Sequence, residues 1–228
     1  MDDNAGSVLA QIRALLLAAE AGAGGRLPTE RELCERLAAP RRAVRLALEV
    51  LEEEGLIWRR QGKGTFIGQP PDPTAVLAAG IMDKASALSI MEGRLCIEPA
   101  LAALCALRAS REDVDRMHRL LDHIGVAPDT DAAEVWDGAL HRMIARAAGN
   151  PILLTAFSLL DQLRTRDDWL AMRQRARSAE ALQLYDHQHR AIIDAIAARR
   201  PEAARKAMTE HLTRLSENLS QSWLADVS

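Results

Sequence analysis

Apolar residues recur at helical spacing through most of the chain, and alternation appears in only one short stretch. The first helical pattern is about Ser7–Ala19 and stops before the glycine-rich AGAGG of residues 21–25. Thr29 with Glu32 three positions on forms a capping box, opening a second helix that runs to about Leu37. In AAPRRAVRLALEVLEEEGL, residues 38–56, a narrow stripe of Val44, Ala47, Leu48 and Leu51 predicts a third helix, ended by Gly55. LIWRR and GTFIG then flank the tight turn QGKG, which predicts a two-stranded hairpin. QPPDP, residues 69–73, holds three prolines in five positions and reads as a short stiff spacer. Beyond it only helices are predicted, at about 74–83, 86–108, 111–124, 131–148, 151–175, 179–198 and 202–222. Ser110 with Asp113, Thr130 and Ser178 are the expected caps, and Pro151 and Pro201 stand at helix starts. Short connections imply antiparallel neighbours. The fold class is therefore mostly α: a helix–helix–helix–hairpin domain at 1–69, a linker at 70–73, and an antiparallel all-α bundle at 74–228.

The third helix carries its charges against its own dipole. Arg41, Arg42 and Arg45 crowd the partly positive N-terminus, and Glu52, Glu53 and Glu54 crowd the partly negative end. Each misplaced charge costs roughly a few tenths of a kcal/mol at an exposed site. The arrangement makes sense if a polyanion meets the N-terminal end. Composition refines this without announcing it. Of 228 residues, 48% are hydrophobic but only 3% aromatic, so Leu, Ala and Ile carry the packing. Net charge is −3, and residues 1–69 balance ten basic against ten acidic side chains. The positive charge is clustered instead, in Arg26, Arg31, Arg36, Arg41, Arg42 and Arg45, then Arg59, Arg60 and Lys63. No apolar run suits a membrane span or a secretory signal, so a cytoplasmic protein is expected. Cys34, Cys96 and Cys105 lack CxxC spacing and are read as free buried thiols.

Three helices followed by a hairpin is the layout of a winged helix-turn-helix, with the tight turn supplied by AAP. LPTERELCERL, RRAVRLALEVLEEEGLI and RRQGKGTFI, taken in that order, resemble the DNA-binding domain of GntR-type bacterial transcription regulators. The resemblance implies contacts to double-stranded operator DNA from Arg31, Arg41 and Arg45, with Arg42 beside them. It also implies a wing tip at Gly62, Lys63 and Gly64 that reaches the minor groove. Two positions depart from the family: Pro40 replaces the usual Ser or Thr cap, and Leu46 replaces a common Glu.

In the bundle, three histidines fall on apolar helix faces. Asp137 and His141 share a face beside Leu140 and Ile144; His189 lies with Ile192, Ile193 and Ile196; His211 lies with Met208 and Leu215. Burying four polar side chains without partners costs roughly 1–3 kcal/mol each, so something satisfies them together. A divalent metal would, and so would hydrogen bonds to nearby carbonyls. Imidazole with one carboxylate suits zinc, and also nickel, cobalt, manganese or iron. His187 faces elsewhere, and His118 and His123 are read as surface residues. Trp136 and Trp169 are read as packing.

EGRLCIEPALAALCALRA, DGALHRMIARAAGNPIL and HRAIIDAIAARRPEAARKAMTEHL resemble the FCD ligand-binding domain of the FadR subfamily of GntR regulators. That resemblance implies a metal site at Asp137, His141, His189 and His211, and a small carboxylate or sugar-acid effector. It places Arg94 facing the effector, and Arg94 also stands four residues before Glu98 as an ion-pair partner. RTRDDWLAMRQRARS departs from the family. The expected protein is a homodimeric regulator, more often a repressor in this family, with zinc foremost as cofactor. A sensor whose signal is the metal itself is the alternative. A metal-dependent enzyme is disfavoured because no base stands beside the ligands in the manner of HExxH.

Overall fold

The computed structural model describes residues 3–19, 25–68, 74–125, 130–164, 166–176 and 179–226. The chain divides into two compact units, Met1–Asp72 and Pro73–Ser228. The QPPDP spacer and the cap expected at Ser178 lie outside the described residues.

In the first unit, α1 (Asp3–Ala19) packs on α3 (Arg41–Glu53), and α2 (Glu30–Arg36) packs on α3 as well. Thr29 starts α2 with a capping box: its hydroxyl accepts from the Glu32 amide, and its own amide donates to the Glu32 carboxylate at 2.7 Å. The α2–α3 turn needs a left-handed residue, and Ala38 supplies it at φ 47. Pro40 then opens α3 with no side-chain cap. Val8 and Ile12 of α1 meet Leu33, Val44, Leu48 and Leu51 in one buried core. Strands β1 (Ile57–Arg60) and β2 (Gly64–Ile67) pair antiparallel, with Trp58 stacked on Phe66 at 4.7 Å between ring centroids. Residues before α2 extend the wing: Leu27 donates to the Thr65 carbonyl and Ile67 to the Gly25 carbonyl, both at 2.9 Å.

The second unit holds α4 (Ala75–Met82), α5 (Ala87–Arg108), α6 (Arg111–Gly125), α7 (Thr130–Ala147), α8 (Pro151–Leu163), α9 (Asp167–Arg175), α10 (Ala179–Ala197) and α11 (Pro201–Asp226). α5 is the central rod. It packs against α7, α8, α10 and α11, and the α6 face of the bundle closes on α7 and α10. The Ser110–Asp113 cap forms as a reciprocal pair at 2.8 and 3.1 Å, and Asn150 caps α8 ahead of Pro151.

One expected element differs. A single helix was predicted at 151–175, and it is two. The backbone leaves helical geometry at Arg166, whose φ of −69 and ψ of 143 are extended. The break turns three arginines inward: Arg164 is buried, Arg173 is buried, and Arg166 donates to the carbonyls of Met82 and Ala85. Continuous helical periodicity could not anticipate it, because the gain lies in long-range ion pairs. The thiols also depart from expectation. Only Cys105 is buried, where burial pushes its pKa up to about 12; Cys34 is half-buried and Cys96 exposed, and all are free.

Candidate metal centre and nucleic-acid interface

α7, α10 and α11 each present a polar side chain to the bundle interior, at positions where apolar neighbours dictate that the face be buried. Asp137 and His141 come from α7, His189 from α10 and His211 from α11. All four are buried, and one ligand atom from each lies within 4.8 Å of the others. Asp137 Oδ1 is 3.3 Å from His189 Nε2 and 3.9 Å from His141 Nε2. The imidazole rings of His189 and His211 approach to 4.4 Å between centroids. His141 Nε2, His211 Nε2 and both nitrogens of His189 have no hydrogen-bond partner among the described residues. Such buried orphans call for a ligand. The carbonyl-bonded alternative therefore does not account for these rings, and the donor set fits a borderline divalent metal.

An outer layer orients the ligands. His141 Nδ1 meets Glu98 Oε2 at 2.5 Å, and Arg94 Nε donates to Glu98 Oε1 at 2.5 Å. His211 Nδ1 lies 3.2 Å from Gln188 Oε1. In both rings Nδ1 is the donor and Nε2 is left with a lone pair turned toward the cluster. Burial lowers the pKa of His141 and, with help from His189 and His141, lowers that of His211 well below 6.5, so both are neutral at pH 7. Burial would raise the Asp137 carboxyl, but His141, His189 and Arg173 hold it well below its ordinary value. Arg94 and His141 do the same for Glu98.

Arg94 thus sits directly behind the Asp–His cluster, its guanidinium on Glu98 and Met91. Arg164, Arg173 and Glu134 were not singled out in the sequence, yet they adjoin Asp137. Arg164 Nη2 donates to Asp137 Oδ2 at 2.9 Å and to Glu134 at 3.1 Å; Arg173 reaches Glu134 at 3.0 and 3.1 Å. The only signal available was a pair of arginines inside otherwise apolar helix faces, indistinguishable by spacing from solvated ones. Trp136 and Trp169 are buried as expected. His118 and His187 are exposed, while His123 is half-buried against Trp136.

On the first unit Arg31, Arg41, Arg42, Arg45, Lys63 and Gly62 are exposed, and Gly64 is half-buried. Three of these arginines lie near acids of the same unit. Arg31 lies 3.2 Å from Glu35, Arg41 3.6 Å from Glu30 and Arg45 3.7 Å from Glu49. The glutamates at the far end of α3 are structural: Glu54 is buried on Arg13, and Glu52 holds Arg59 at 3.1 Å. Gly62 and Gly64 take φ of 73 and 113, and a β-carbon on Gly64 would come 2.7 Å from Arg26 Nε. Leu46 is 44% exposed.

A winged helix-turn-helix followed by a helical bundle with an inward-facing Asp–His set defines a two-part regulator class. Residues 4–67 match the model of bacterial regulatory proteins of the gntR family, and residues 89–214 match the FCD domain. The chain is similar to the regulator YcbG of Bacillus subtilis, at 33% identity over 90% of this chain and 85% of that one. It is 31% identical to the HTH-type transcriptional regulator LutR of the same organism, over 86% of this chain and 92% of that one. A GntR-family regulator from Pseudomonas syringae shares the fold at a TM-score of 0.51 and 17% identity, covering 98% of this chain and 87% of that one. The chain belongs to the GntR family, carries the FCD domain of its FadR-like branch, and is a DNA-binding transcription regulator rather than an enzyme. No helix among the described residues is long and apolar enough to cross a membrane.

Proposed function

We propose that this regulator is an effector-controlled repressor whose bundle binds a divalent metal, zinc foremost, through Asp137, His141, His189 and His211. The orphaned buried imidazole nitrogens carry this reading. A bound metal supplies a Lewis-acid site on which a small carboxylate or sugar acid chelates. Asp137 turns Oδ1 toward the cluster while Arg164 holds Oδ2, so Oδ1 is the oxygen that would be available to a metal. Arg94, expected at the effector, acts here through Glu98 to hold His141. Two copies of the chain, as a cytoplasmic homodimer, grip a palindromic operator. Arg31, Arg41, Arg42 and Arg45 lie against phosphates and base edges, and the Gly62–Lys63–Gly64 tip enters the minor groove. Metal and acid change operator affinity only if loaded and free forms prefer different placements of the DNA-binding units.

An operator selected from random DNA provides the test, with affinity read by fluorescence anisotropy. Zinc-loaded protein should bind tightly, and millimolar 2-hydroxy acids or sugar acids should weaken binding at least tenfold. A response to zinc with none to any acid would make the metal the signal and overturn the effector reading.

A further inference from the structure

Beside the metal ligands lies a buried pair of guanidiniums whose hydrogen bonds do not add up. Arg164 is 5% exposed and Arg173 is 2% exposed. Between them they use Arg164 Nη2, Arg173 Nε and Arg173 Nη2 on Glu134 and Asp137. Arg164 Nε, Arg164 Nη1 and Arg173 Nη1 find no hydrogen-bond acceptor among the described residues. Asp161 stands 3.8 Å from Arg164 Nη1, but its closer partner is Arg142, at 3.2 Å. Buried charged N–H groups without acceptors are costly, and native proteins give them a partner.

The charge count leads the same way. Asp137 turns Oδ1 to the three histidines and Oδ2 to the arginines, 2.9 Å from Arg164 and 3.9 Å from Arg173. Once its charge is engaged by a metal, two buried cations are left with Glu134 and with Asp161, which stands 3.8 Å from Arg164 and is shared with Arg142. Burial disfavours both charged forms, but Glu134 and Asp137 keep both guanidiniums protonated. Position completes the case. The Arg173 guanidinium lies 5.8 Å over the Tyr185 ring, and Tyr185 meets the metal ligand His211 edge-on at 5.7 Å. Tyr185 is thus the ring between Arg173 and His211, and Arg173 comes from α9, within the segment that departs from the family pattern.

We propose that Arg164 and Arg173 receive a second anionic group, so that the effector is a short 2-hydroxy or 2-keto diacid and not a monocarboxylate. One end chelates the metal, and the far carboxylate pairs with the free edges of the two guanidiniums. The inference rests on the metal–carboxylate reading above. A monoacid would satisfy the metal and leave the arginines as they are, so discrimination comes from the far end.

Calorimetry on the zinc-loaded full-length protein tests this with matched acids. The diacids are tartronate, malate, 2-hydroxyglutarate and 2-hydroxyadipate; the monoacids are lactate and its four-, five- and six-carbon homologues. The best diacid should bind at least tenfold tighter than the monoacid of its length. In Arg173→Gln that advantage, taken as the ratio of the two affinities within the variant, should fall below threefold, and Arg173→Lys should recover part of it. Zinc content and the melting temperature without acid verify that each variant is folded, and the wild-type comparison needs no variant. Equal wild-type affinities for diacid and monoacid would overturn the second-anion site while leaving the carboxylate effector standing. An undiminished advantage in Arg173→Gln would overturn the assignment to Arg173. Binding by no acid of either series would overturn both this inference and the effector reading beneath it.

Discussion

Glu98 shows how much one side chain can carry. It is buried on α5, accepts from Arg94, and receives Nδ1–H of His141, which leaves His141 Nε2 free to ligate. Carboxylates in this position typically contribute about 10–100-fold in metal affinity by fixing the ring and raising its basicity. Glu98→Gln keeps the shape but removes the charge, and zinc competition against a chelator should show a loss in that range. Because the change also strands Arg94 in the core, Gln188→Ala, which frees His211 Nδ1 without orphaning a charge, provides the companion measurement. Unchanged zinc affinity in both variants would mean that neither residue orients its histidine. The Asp137, His141, His189 and His211 set was visible in the sequence because polar residues on apolar stripes need a reason to be buried. Glu98 was visible only as a helix neighbour of Arg94. Its partner His141 is 43 residues away, and no local spacing encodes that contact.

Among elements, α3 answers the puzzle its charges pose. Its basic end is exposed, and its acidic end is occupied by the fold, with Glu54 on Arg13 and Glu52 on Arg59. The glutamates are therefore placed by tertiary partners, which local dipole reasoning cannot weigh against a few tenths of a kcal/mol. Helices with strong apolar stripes, such as α3, were legible from sequence, and so was the hairpin with its glycine turn. The α8–α9 break was not, because Arg164 and Arg173 look like surface residues until α7 supplies Glu134 and Asp137. At the exposed end, the proposed docking would have Arg45 exchange its weak intrahelical pair with Glu49 for phosphate. Each phosphate contact contributes about 0.9 to the slope of log affinity against log salt. Arg45→Ala should weaken operator binding and reduce that slope by about 1. Unchanged affinity and slope would remove α3 from the interface.

At the level of the whole molecule, the proposed metal site would link binding to folding within one unit. The four ligands come from α7, α10 and α11, so an ion that binds them ties together helices separated by up to 74 residues of chain, from Asp137 to His211. Free zinc at about 1,000-fold above its dissociation constant stabilises the folded state by about 4 kcal/mol. For a unit of this size that corresponds to a rise in melting temperature on the order of 10 °C. The 1–72 unit contains no such cluster among its described residues, and its melting should not move. Acid should erase the difference. His141 and His211 have folded pKa values below 6.5, so between those values and 6.5 the unfolded chain binds more protons than the folded one. Stability therefore rises with pH across that window, is fully present above about 6.5, and is lost as pH falls through the folded values. Zinc affinity of the folded site falls lower still, as pH passes through the folded values, because protonated imidazoles cannot ligate. Calorimetric scans with zinc and with chelator, taken downward from about pH 8, should show two curves that converge only once the pH has fallen through the folded values of His141 and His211. A zinc shift equally present in Asp137→Asn with His211→Ala would place the metal on other ligands.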